Sequence, residues 1–541
     1  MSRGIARSSQ ITRPPMRSVI LSGFMGTGKS TVGPALAATL GLPFVDTDSE
    51  IERGSGMSIV DLWQRDGEHA FRAREVELVE RLLADGSPRV ISFGGGTVTS
   101  ERARRLAVDR SILVTLTAPA ETVVSRAQDV ATRPNLAVGG DPVARARDLL
   151  AQRSSVYAEC HLSISTETLD VPAVTREIVE VVRRDPLLVP LGSRSYTVDI
   201  CADEPGRLKA AIARSAASSI VLVTDAQVLA ARQNAVEEAL GSFHGPVAQV
   251  VLEPGEVHKT VDAVKSIWDA ALKAGVDRDA VVLAVGGGVV GDLAGFAAAC
   301  LLRGVRLIQV PTTLLSMVDS SVGGKTGCDH TSGKNLIGAF HQPISVVADV
   351  AHLSTLDRRQ FSSGLAEAVK IAVATDAAFL ERLEALVADV ARADVSAVME
   401  VVRRAVRAKI LVVQDDERES GARALLNLGH TVGHAIEAHG GYDRWLHGEA
   451  VALGTVAEMR ATAALGWTPA SLVDRIAHLL GALGLPQTLE RSELEAAWPF
   501  AAADKKRGGD SVRLPVVTAP GRAEVKRVPL VELKKALLLQ A

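Results

Sequence analysis

The sequence has little cysteine, little net charge and no long uninterrupted apolar run. Its four cysteines in 541 residues stand far apart without a Cys-x-x-Cys pair, which predicts neither a disulfide framework nor a cysteine zinc site. A net charge of −3 argues against a nucleic-acid-binding or membrane-surface protein. The most apolar region, residues 280–302, contains several glycines and Asp292, unlike a membrane span. We therefore expect a cytoplasmic protein whose partners are neither nucleic acid nor membrane.

The length and the hydrophobic pattern predict several domains, because 541 residues exceed a single ordinary core. Residues 1–17 are rich in Arg and Ser and lack acids, which predicts a disordered tail, with an organelle transit peptide as the alternative. Strand and helix signals alternate over residues 18–178 and again over 191–350, with a linker predicted at 179–190. Residues 351–541 are predicted to be mostly helical. The expected fold is therefore α/β, with two parallel-sheet domains followed by a helical one.

The segment GFMGTGKS, at residues 23–30, lies between an apolar strand and a helix and matches a phosphate-binding loop. Its glycines let backbone N–H groups converge on phosphate oxygens, and the helix N-terminus favours negative charge. Lys29 is predicted to reach the outer phosphates and Ser30 to hold Mg²⁺. An ordinary glycine turn is the alternative. The predicted nucleotide contacts are Gly26, Thr27, Gly28, Lys29, Ser30 and Thr31.

Acids, arginines and glycines that suit a second small ligand follow this loop. Asp46 and Asp48 come after an apolar strand, where a carboxylate is needed near Mg²⁺ or the acceptor hydroxyl; a surface turn is the alternative. Arg72 lies in a helical stretch, and the triple glycine at 94–96 lets the backbone approach a ligand closely. Arg133 lies in a polar, glycine-containing loop that is typical of a lid over phosphates.

Together these segments resemble shikimate kinase from residue 18 to about 170, including Phe71-Arg72, the Arg-Pro-x-Leu lid, and Arg153 with Tyr157. The resemblance implies ATP-dependent phosphorylation of shikimate, with Mg²⁺ at Ser30 and Asp46. The shikimate contacts that it implies are Asp48, Arg72, Gly94, Gly95, Gly96 and Arg153, and the catalytic residues are Lys29, Asp48 and Arg133. Asn135 departs from the family's lid, and we expect it to change lid packing rather than chemistry. Another small-molecule kinase, such as a gluconate kinase, is the alternative.

A second nucleotide signal begins at Gly286, where Gly-x-Gly-x-x-Gly follows a strand and precedes a helix. The pattern is weak alone, since no acid follows about twenty residues later. Nearby loops strengthen it because their lysines suit a phosphate or pyrophosphate and their acids and hydroxyls suit a ribose. Solvated surface lysines are the alternative. These loops contain Glu256, Lys259, Thr312, Thr313, Asp319, Lys325, Lys334 and Asn335.

Four of the twelve histidines fall within eighteen residues, at His430, His434, His439 and His447. His430 and His434 are four apart, so on a helix they would face one side like a zinc-binding pair. No glutamate directly follows His430, so this is not the metalloprotease helix. Spacing alone therefore predicts His430 and His434 as ligands, and Glu367 or His447 is a candidate for the third ligand. Catalytic bases and a solvated helix face are the alternatives.

The second half resembles 3-dehydroquinate synthase from about residue 190 to the end, in strings such as GGGVVGD, GLAEAVK, NLGHTVGHAIEA and LHGEAVA. The resemblance implies conversion of 3-deoxy-D-arabino-heptulosonate 7-phosphate to 3-dehydroquinate and phosphate, with NAD⁺ and either Zn²⁺ or Co²⁺. It divides the histidine pair: Glu367, His430 and His447 bind the metal, while His434 faces the substrate. His439 matches no family position and is expected on a solvated face.

The resemblance also implies the remaining contacts of the second half. The NAD⁺ contacts are Asp225, Glu256, Val257, His258, Lys259, Gly287, Gly288, Val289, Val290, Gly291, Asp292, Thr312, Thr313, Asp319, Lys325, Lys334, His352, Leu353, Ser354 and Thr355. The substrate and catalytic residues are Arg303, Lys325, Asn335, Lys370, Lys409, Arg423, Asn427, His434 and Lys506.

The predicted protein is thus a bifunctional enzyme that acts on small molecules and forms a homodimer through its second half. The two reactions are not consecutive, so no channelling between the sites is expected. One alternative is a metal- and NAD-dependent polyol dehydrogenase fused to another sugar kinase. Another is that the kinase half is a non-catalytic scaffold.

Overall fold

A computed structural model describes residues 16–126, 141–331, 333–505 and 509–540. The predicted lid residues Arg133 and Asn135 and the predicted substrate residue Lys506 lie outside the described residues. The chain divides into two compact units, with the division between Val198 and Asp199.

The first unit is built on a five-stranded parallel sheet in the order β2-β3-β1-β4-β5. Its strands are β1 (Ser18–Ser22), β2 (Phe44–Asp46), β3 (Val90–Ser92), β4 (Ser111–Thr117) and β5 (Leu162–Ser165). Its helices are α1 (Lys29–Leu40), α2 (Thr47–Ser55), α3 (Ile59–Ala84), α4 (Glu101–Arg110), α5 (Ala120–Arg126), α6 (Pro142–Ala158) and α7 (Val171–Arg184). Apolar side chains alternate between two cores, with Ile20 and Ile91 on one face and Val19 and Leu21 on the other. Helices therefore cover both faces, as a parallel sheet requires.

The region predicted as a linker, residues 179–190, has regular structure at both ends. Helix α7 continues to Arg184, because its apolar residues Val174, Ile178 and Val181 pack into the core at helical spacing. A short strand, β6 (Leu187–Val189), follows and pairs antiparallel with the first residues of β7 (Tyr196–Cys201). The exact domain boundaries remain a prediction.

The second unit begins with a largely parallel sheet in the order β7-β14-β11-β10-β8-β9. The strands after β7 are β8 (Ile220–Asp225), β9 (Val247–Leu252), β10 (Val281–Gly286), β11 (Arg306–Pro311) and β14 (Ser345–Asp349), and a separate antiparallel hairpin is formed by β12 (Lys325–His330) and β13 (Gly333–Phe340). Its helices are α8 (Pro205–Ser215), α9 (Ala226–Leu240), α10 (Val261–Lys273) and α11 (Gly288–Cys300).

Strands β8 and β10 are neighbours, but the helices that follow them cover opposite faces of the sheet. Helix α9 packs on the face that carries Leu222 and Leu283, and α11 packs on the face that carries Val221 and Val282. The connections therefore separate at the carboxyl ends of these two strands. In open α/β sheets this separation creates the crevice where ligands bind.

The remainder of the second unit is mainly helical, and the predicted fold class is confirmed. Its helices are α12 (Arg358–Thr375), α13 (Ala377–Ala385), α14 (Val387–Ala391), α15 (Val395–Asp415), α16 (His430–His439), α17 (His447–Ala464), α18 (Ala470–Ala482), α19 (Arg491–Lys505) and α20 (Leu530–Gln540), with a hairpin of β15 (Ser511–Ala519) and β16 (Arg522–Pro529). Helix α12 is central, since residues 361–374 are all buried. Across the described residues, every helix is too short or too polar to traverse a lipid bilayer.

Candidate active sites

The glycine loop of the first unit forms a phosphate cradle at the start of α1. Gly26 and Gly28 have φ angles of 74° and 95°, which side chains other than glycine rarely adopt. Lys29 is buried, and its Nζ donates to the carbonyl oxygens of Gly23 at 2.8 Å and Phe24 at 2.9 Å. Ser30 is exposed in the first helical turn. The loop therefore presents N–H groups, a cation and a hydroxyl at one helix N-terminus.

The two acids after β2 have different surroundings. The Asp46 carboxylate caps α2 by accepting from the backbone N–H groups of Asp48 at 3.1 Å and Ser49 at 3.2 Å. The Asp48 carboxylate lies against the triple glycine, since a Cβ at Gly94 would lie 2.5 Å from Asp48 Oδ1. Asp48 therefore faces the glycine segment, while Asp46 lies at the end of β2.

Arg72 lies across the triple glycine in a fixed orientation. A Cβ on Gly96 would come within 2.6 Å of Arg72 Cζ, so only glycine leaves room for the guanidinium there. Glu75, which is 1% exposed, accepts from Arg72 Nη1 at 2.6 Å and from the Thr97 hydroxyl. Glu75 was not predicted from the sequence, where its only signal is its position three residues after Arg72 on a helix.

A second arginine approaches the same glycines from α6. Arg153 Nη1 donates to the carbonyl oxygen of Gly95 at 3.2 Å, and the Tyr157 hydroxyl donates to the same oxygen at 2.6 Å. Burial raises the pKa of Tyr157, so the phenol keeps its proton and acts as a donor. The structure thus brings Asp48, Arg72 and Arg153 around the glycine segment. Two guanidinium groups and a carboxylate suit a small hydroxylated acid.

The dinucleotide motif of the second unit lies at the crevice between β8 and β10. Gly287 is the N-cap of α11, and the Thr312 N–H donates to the Gly286 carbonyl at 2.9 Å. A Cβ at Gly287 would lie 3.2 Å from the Thr313 methyl group, so backbone and threonine are close. Across the crevice, Asp225 caps α9 by accepting from the Val228 N–H at 2.8 Å. The N-terminus of α11, which has no side-chain cap among the described residues, is open to a phosphate group.

Lys259 connects three of the predicted cofactor residues. Its Nζ donates to Asp292 Oδ2 at 2.7 Å and to Asn335 Oδ1 at 2.6 Å, and lies 3.9 Å from Glu256 Oε1. Burial acts to lower the pKa of Lys259, but Asp292 and Glu256 outweigh it, and the pKa is raised above its ordinary value. This lysine remains charged and holds the β12–β13 hairpin against α11.

Other predicted cofactor residues occupy two short turns. Val257 and His258 are exposed in the turn before Lys259, whereas His352 is buried in the turn after β14. His352 Nδ1 accepts from Arg232 Nε at 2.8 Å, and burial together with Arg232 lowers the pKa of His352 to about 4. The remaining predicted cofactor residues are Val289, Val290 and Gly291 in α11, and Leu353, Ser354 and Thr355 in the same turn as His352.

Glu367, His430 and His447 meet in the helical region. Potential ligand atoms of these residues all lie within 4.8 Å of one another. The Nε2 atoms of His430 and His447 lie 3.7 and 3.5 Å from Glu367 Oε1. Glu367 is 2% exposed, and neither of its carboxylate oxygens has a hydrogen-bond partner within the described part of the chain, although Lys370 forms an ion pair with it. Two imidazoles and one carboxylate are a donor set typical of catalytic zinc and cobalt sites.

Helix packing and local charge complete this cluster. A Cβ at Gly454 of α17 would lie 2.8 Å from the backbone nitrogen of Gly433, so glycines allow α16 and α17 the close approach that places His430 beside His447. Burial and Lys370 hold the pKa of His430 well below its ordinary value, which favours the neutral, metal-binding ring. For His447, Glu367 and Glu437 outweigh burial and raise the pKa to about 10, so this position favours positive charge.

The remaining histidines differ in position. His434 lies one turn after His430 and is exposed, with ring centroids 5.1 Å from His430 and 6.1 Å from His447. His434, Glu437 and His447 form a second group with ligand atoms within 4.8 Å. His439 is exposed, and its ring lies 6.2 Å from that of Phe500.

Several cationic residues surround the metal-type cluster. Lys409 is buried, and its Nζ donates to Asp319 Oδ1 and to the Asp319 carbonyl, each at 2.6 Å. Burial, with smaller effects of Arg423 and Lys370, lowers the pKa of Lys409 to about 8. Arg423 is also buried and donates to the carbonyls of Gly323 at 3.1 Å and Glu417 at 2.6 Å.

A glutamate that the sequence analysis missed joins two predicted substrate residues. Glu419 forms an ion pair with Lys325, and its Oε1 accepts from Asn427 Nδ2 at 2.6 Å. By contrast, Arg303 is exposed with a φ of 70°, and the structure shows no hydrogen bond or ion pair between it and the residues described. The fold therefore joins Lys325 and Asn427 but leaves Arg303 apart.

These folds and sites define the chain as two enzymes in sequence, a P-loop kinase followed by a sugar-phosphate cyclase. A family model for shikimate kinase matches residues 25–183. Models for the N-terminal and C-terminal parts of 3-dehydroquinate synthase match residues 249–363 and 364–507. The chain belongs to the shikimate kinase and 3-dehydroquinate synthase families, which it joins in one polypeptide.

Two of the solved structures that are similar to the second unit are synthases with NAD⁺ and a metal ion bound. A 2-deoxy-scyllo-inosose synthase complexed with carbaglucose-6-phosphate, NAD⁺ and Co²⁺ shares 26% identity over 66% of this chain and 100% of its own, with a TM-score of 0.59. The 2-epi-5-epi-valiolone synthase of Streptomyces hygroscopicus subsp. jinggangensis, with NAD⁺ and Zn²⁺ bound, shares 28% identity over 64% of this chain and 96% of its own, with a TM-score of 0.57. A shikimate kinase from Acinetobacter baumannii, in complex with shikimate, shares 33% identity over 31% of this chain and 94% of its own, with a TM-score of 0.30.

Proposed function

We propose that the first unit phosphorylates shikimate with ATP and Mg²⁺, and that the second converts 3-deoxy-D-arabino-heptulosonate 7-phosphate to 3-dehydroquinate and phosphate. The observation that carries the second assignment is the cluster of Glu367, His430 and His447 among the buried cations Lys370 and Lys409. A phosphorylated polyhydroxy acid needs a metal for its hydroxyl groups and cations for its phosphate.

In the first unit, one group of residues is suited to ATP and a second group, around the triple glycine, is suited to shikimate. Lys29 and the loop N–H groups hold the ATP phosphates, and Ser30 with Asp46 holds Mg²⁺. Arg72 and Arg153, both directed at the triple glycine, bind the shikimate carboxylate. Asp48 accepts the proton of the attacking hydroxyl. We further propose that Arg133 covers the phosphates.

The second unit fits a dinucleotide and a divalent metal. The N-terminus of α11 and the neighbouring Lys259 suit a pyrophosphate, and Asp225 across the crevice suits a ribose. Glu367, whose Oε1 lies 3.7 Å from His430 Nε2 and 3.5 Å from His447 Nε2, completes a three-ligand site. We therefore propose NAD⁺ and either Zn²⁺ or Co²⁺ as cofactors, the groups that the two similar cyclase structures contain.

When bound, the metal would polarise a substrate hydroxyl, and the dinucleotide would accept and return a hydride, so the overall reaction is redox-neutral. The chain's own residues bind and orient the substrate. Lys325, Lys409 and Arg423 supply positive charge for its phosphate, and Asn427 donates to its hydroxyl groups. His434, exposed one turn beyond His430, faces the substrate and moves a proton.

The test is a pair of assays on the intact chain, measuring shikimate phosphorylation and phosphate release from the heptulosonate phosphate. The proposal requires stoichiometric phosphate release without lasting accumulation of NADH. A polyol dehydrogenase would accumulate NADH and release no phosphate. Failure to convert shikimate with ATP would instead identify the first unit as a non-catalytic module.

We also propose that the protein is cytoplasmic and forms a homodimer through its second unit. The edge strand β9 leaves Val247 and Val251 exposed, at 44% and 45%, which favours association with another copy. Sedimentation velocity of the full chain should give twice the monomer mass. A monomer throughout the micromolar range would contradict the homodimer.

A further inference from the structure

A buried carboxylate without an assigned role lies between the metal-type cluster and the cofactor crevice. Glu437 on α16 is 3% exposed, and its two oxygens lie near two different cations. We propose that Glu437 is a positioning residue that orients His447 toward the metal. This inference rests on the metal centre proposed above.

The two ring nitrogens of His447 have separate acidic partners. Nδ1 lies 3.3 Å from Glu437 Oε2, whereas Nε2 lies 3.5 Å from Glu367 Oε1. When a metal ion takes the place of the Nε2 proton, the proton that stays on Nδ1 is donated to Glu437, and the Nε2 lone pair is directed at the metal position. Carboxylates in this arrangement fix the tautomer and ring orientation of a ligating histidine and increase its basicity.

Glu437 is placed to orient a ligand and is less suited to be one. His434, Glu437 and His447 could also surround a cation by distance alone. However, Glu437 already contacts His447 through Oε2 and accepts from Lys334 Nζ through Oε1 at 3.2 Å. Glu367 pairs with Lys370 through Oε2, but its Oε1 lies 3.7 Å from His430 Nε2 and 3.5 Å from His447 Nε2, between the two imidazoles. Glu367 is therefore the metal ligand, and Glu437 contacts the ligand His447 rather than the metal.

Lys334 holds this carboxylate in place from the β12–β13 hairpin. Its Nζ also lies 3.5 Å from Glu256 Oε1 and 4.4 Å from the centroid of the Tyr442 ring. A buried carboxylate is costly unless it is paired, and Glu437 has Lys334 on one side and the Nδ1 nitrogen of His447 on the other. These fixed partners leave the Glu437 side chain little freedom to turn away from His447.

The experiment measures metal affinity rather than activity. Zn²⁺ and Co²⁺ dissociation constants are obtained on the full chain by competition with a chelator, together with the visible absorption spectrum of the Co²⁺ form. Glu437→Ala should weaken binding by about ten- to a hundredfold and change the Co²⁺ spectrum, as loss of such partners does elsewhere. Glu437→Gln should weaken it less, because the amide oxygen can still accept from Nδ1–H. Glu384→Gln, which removes a carboxylate paired with Arg475 away from the ligands, is the matched control and should change neither quantity.

The outcomes separate the two proposals. Unchanged affinity and spectrum in both Glu437 variants would overturn the positioning role, provided that His447→Ala loses the metal. A loss in Glu437→Ala as complete as in His447→Ala would overturn it by making Glu437 a ligand. If His447→Ala kept full affinity, the metal centre itself would be wrong. Should the alanine variant fail to fold, the isosteric glutamine variant decides by the same two measurements.

Discussion

Replacing Gly96 by alanine should disable shikimate binding without unfolding the first unit. Gly96 has φ −115° and ψ −7°, which alanine adopts without strain. The new methyl group would lie 2.5 Å from Arg72 Nη1 and 2.6 Å from Cζ. The obstructing atoms belong to the end of a flexible side chain, so the guanidinium moves while the backbone stays.

The required movement sets the size of the effect. A carbon–nitrogen contact needs about 3.4 Å, so the guanidinium must shift by about 1 Å, and a misplacement of that size can cost about a hundredfold in rate. Loss of charge-assisted hydrogen bonds to a carboxylate costs about 1.5 to 3 kcal/mol, which corresponds to roughly ten- to a hundredfold in kcat/KM. Both estimates predict a large change in KM for shikimate and little change in KM for ATP, because the substitution does not touch Lys29 and its loop.

The assay compares KM for shikimate and KM for ATP in the wild type, Gly96→Ala and Gly54→Ala. Gly54 lies in α2, where an added Cβ would have no atom of the described residues within 4 Å, so its replacement controls for the glycine-to-alanine change. Gly54→Ala should leave both KM values unchanged. An unaltered KM for shikimate in Gly96→Ala would show that Arg72 does not bind the substrate where the structure places it.

Two further predictions concern lysines of the second unit. Lys259→Met leaves the Asp292 carboxylate without its cation and should lower the free energy of unfolding by about 3 to 5 kcal/mol, measured by urea denaturation. Lys265→Met, which breaks the exposed pair with Asp269, should lower the free energy of unfolding by at most about 1 kcal/mol. Equal losses in the two variants would show that burial of the Lys259 pair does not increase its contribution to stability. Because Lys409 has a pKa of about 8, it loses its charge as pH rises through that value, and kcat/KM for the phosphorylated substrate should fall on the alkaline side. Lys409→Arg retains the charge and should shift the alkaline decrease in kcat/KM to higher pH. If that decrease does not shift, a group other than Lys409 causes it.

The phosphate loop and the fold class could be predicted from sequence because their signals are local. Gly26, Gly28 and Lys29 act within one strand–turn–helix, so residues close together in the sequence determine the geometry of the loop. The strand and helix periodicities likewise depend on neighbours in the chain. The two prolines after residue 184 predicted a junction, but the apolar residues that extend α7 to Arg184 reach into the predicted linker.

The metal-type cluster shows what spacing alone could not provide. His430 and His434 are one helical turn apart, but the structure places Glu367 of α12 and His447 of α17 beside His430. Those contacts depend on how three helices pack. The residues alone offered Glu367 and His447 only as candidates for a third ligand, and the family resemblance selected the set of Glu367, His430 and His447. Glu75 and Glu437 were missed because a glutamate on a helix is usually solvated, and their burial appears only after the helices pack. Glu419 was missed because it lies in an irregular segment, where no periodic pattern marks its contact with Lys325.

One chain is expected to carry two active sites, the second built around a metal. The most direct measurement removes metal with a chelator and then restores activity with Zn²⁺ or Co²⁺ in the wild type, His447→Ala and His439→Ala. His439 is the matched control, since it is an exposed histidine of the same segment. We predict that His447→Ala abolishes the restored phosphate release and leaves Mg²⁺-ATP-dependent shikimate phosphorylation intact, while His439→Ala behaves as the wild type. Restored phosphate release in His447→Ala would contradict the account.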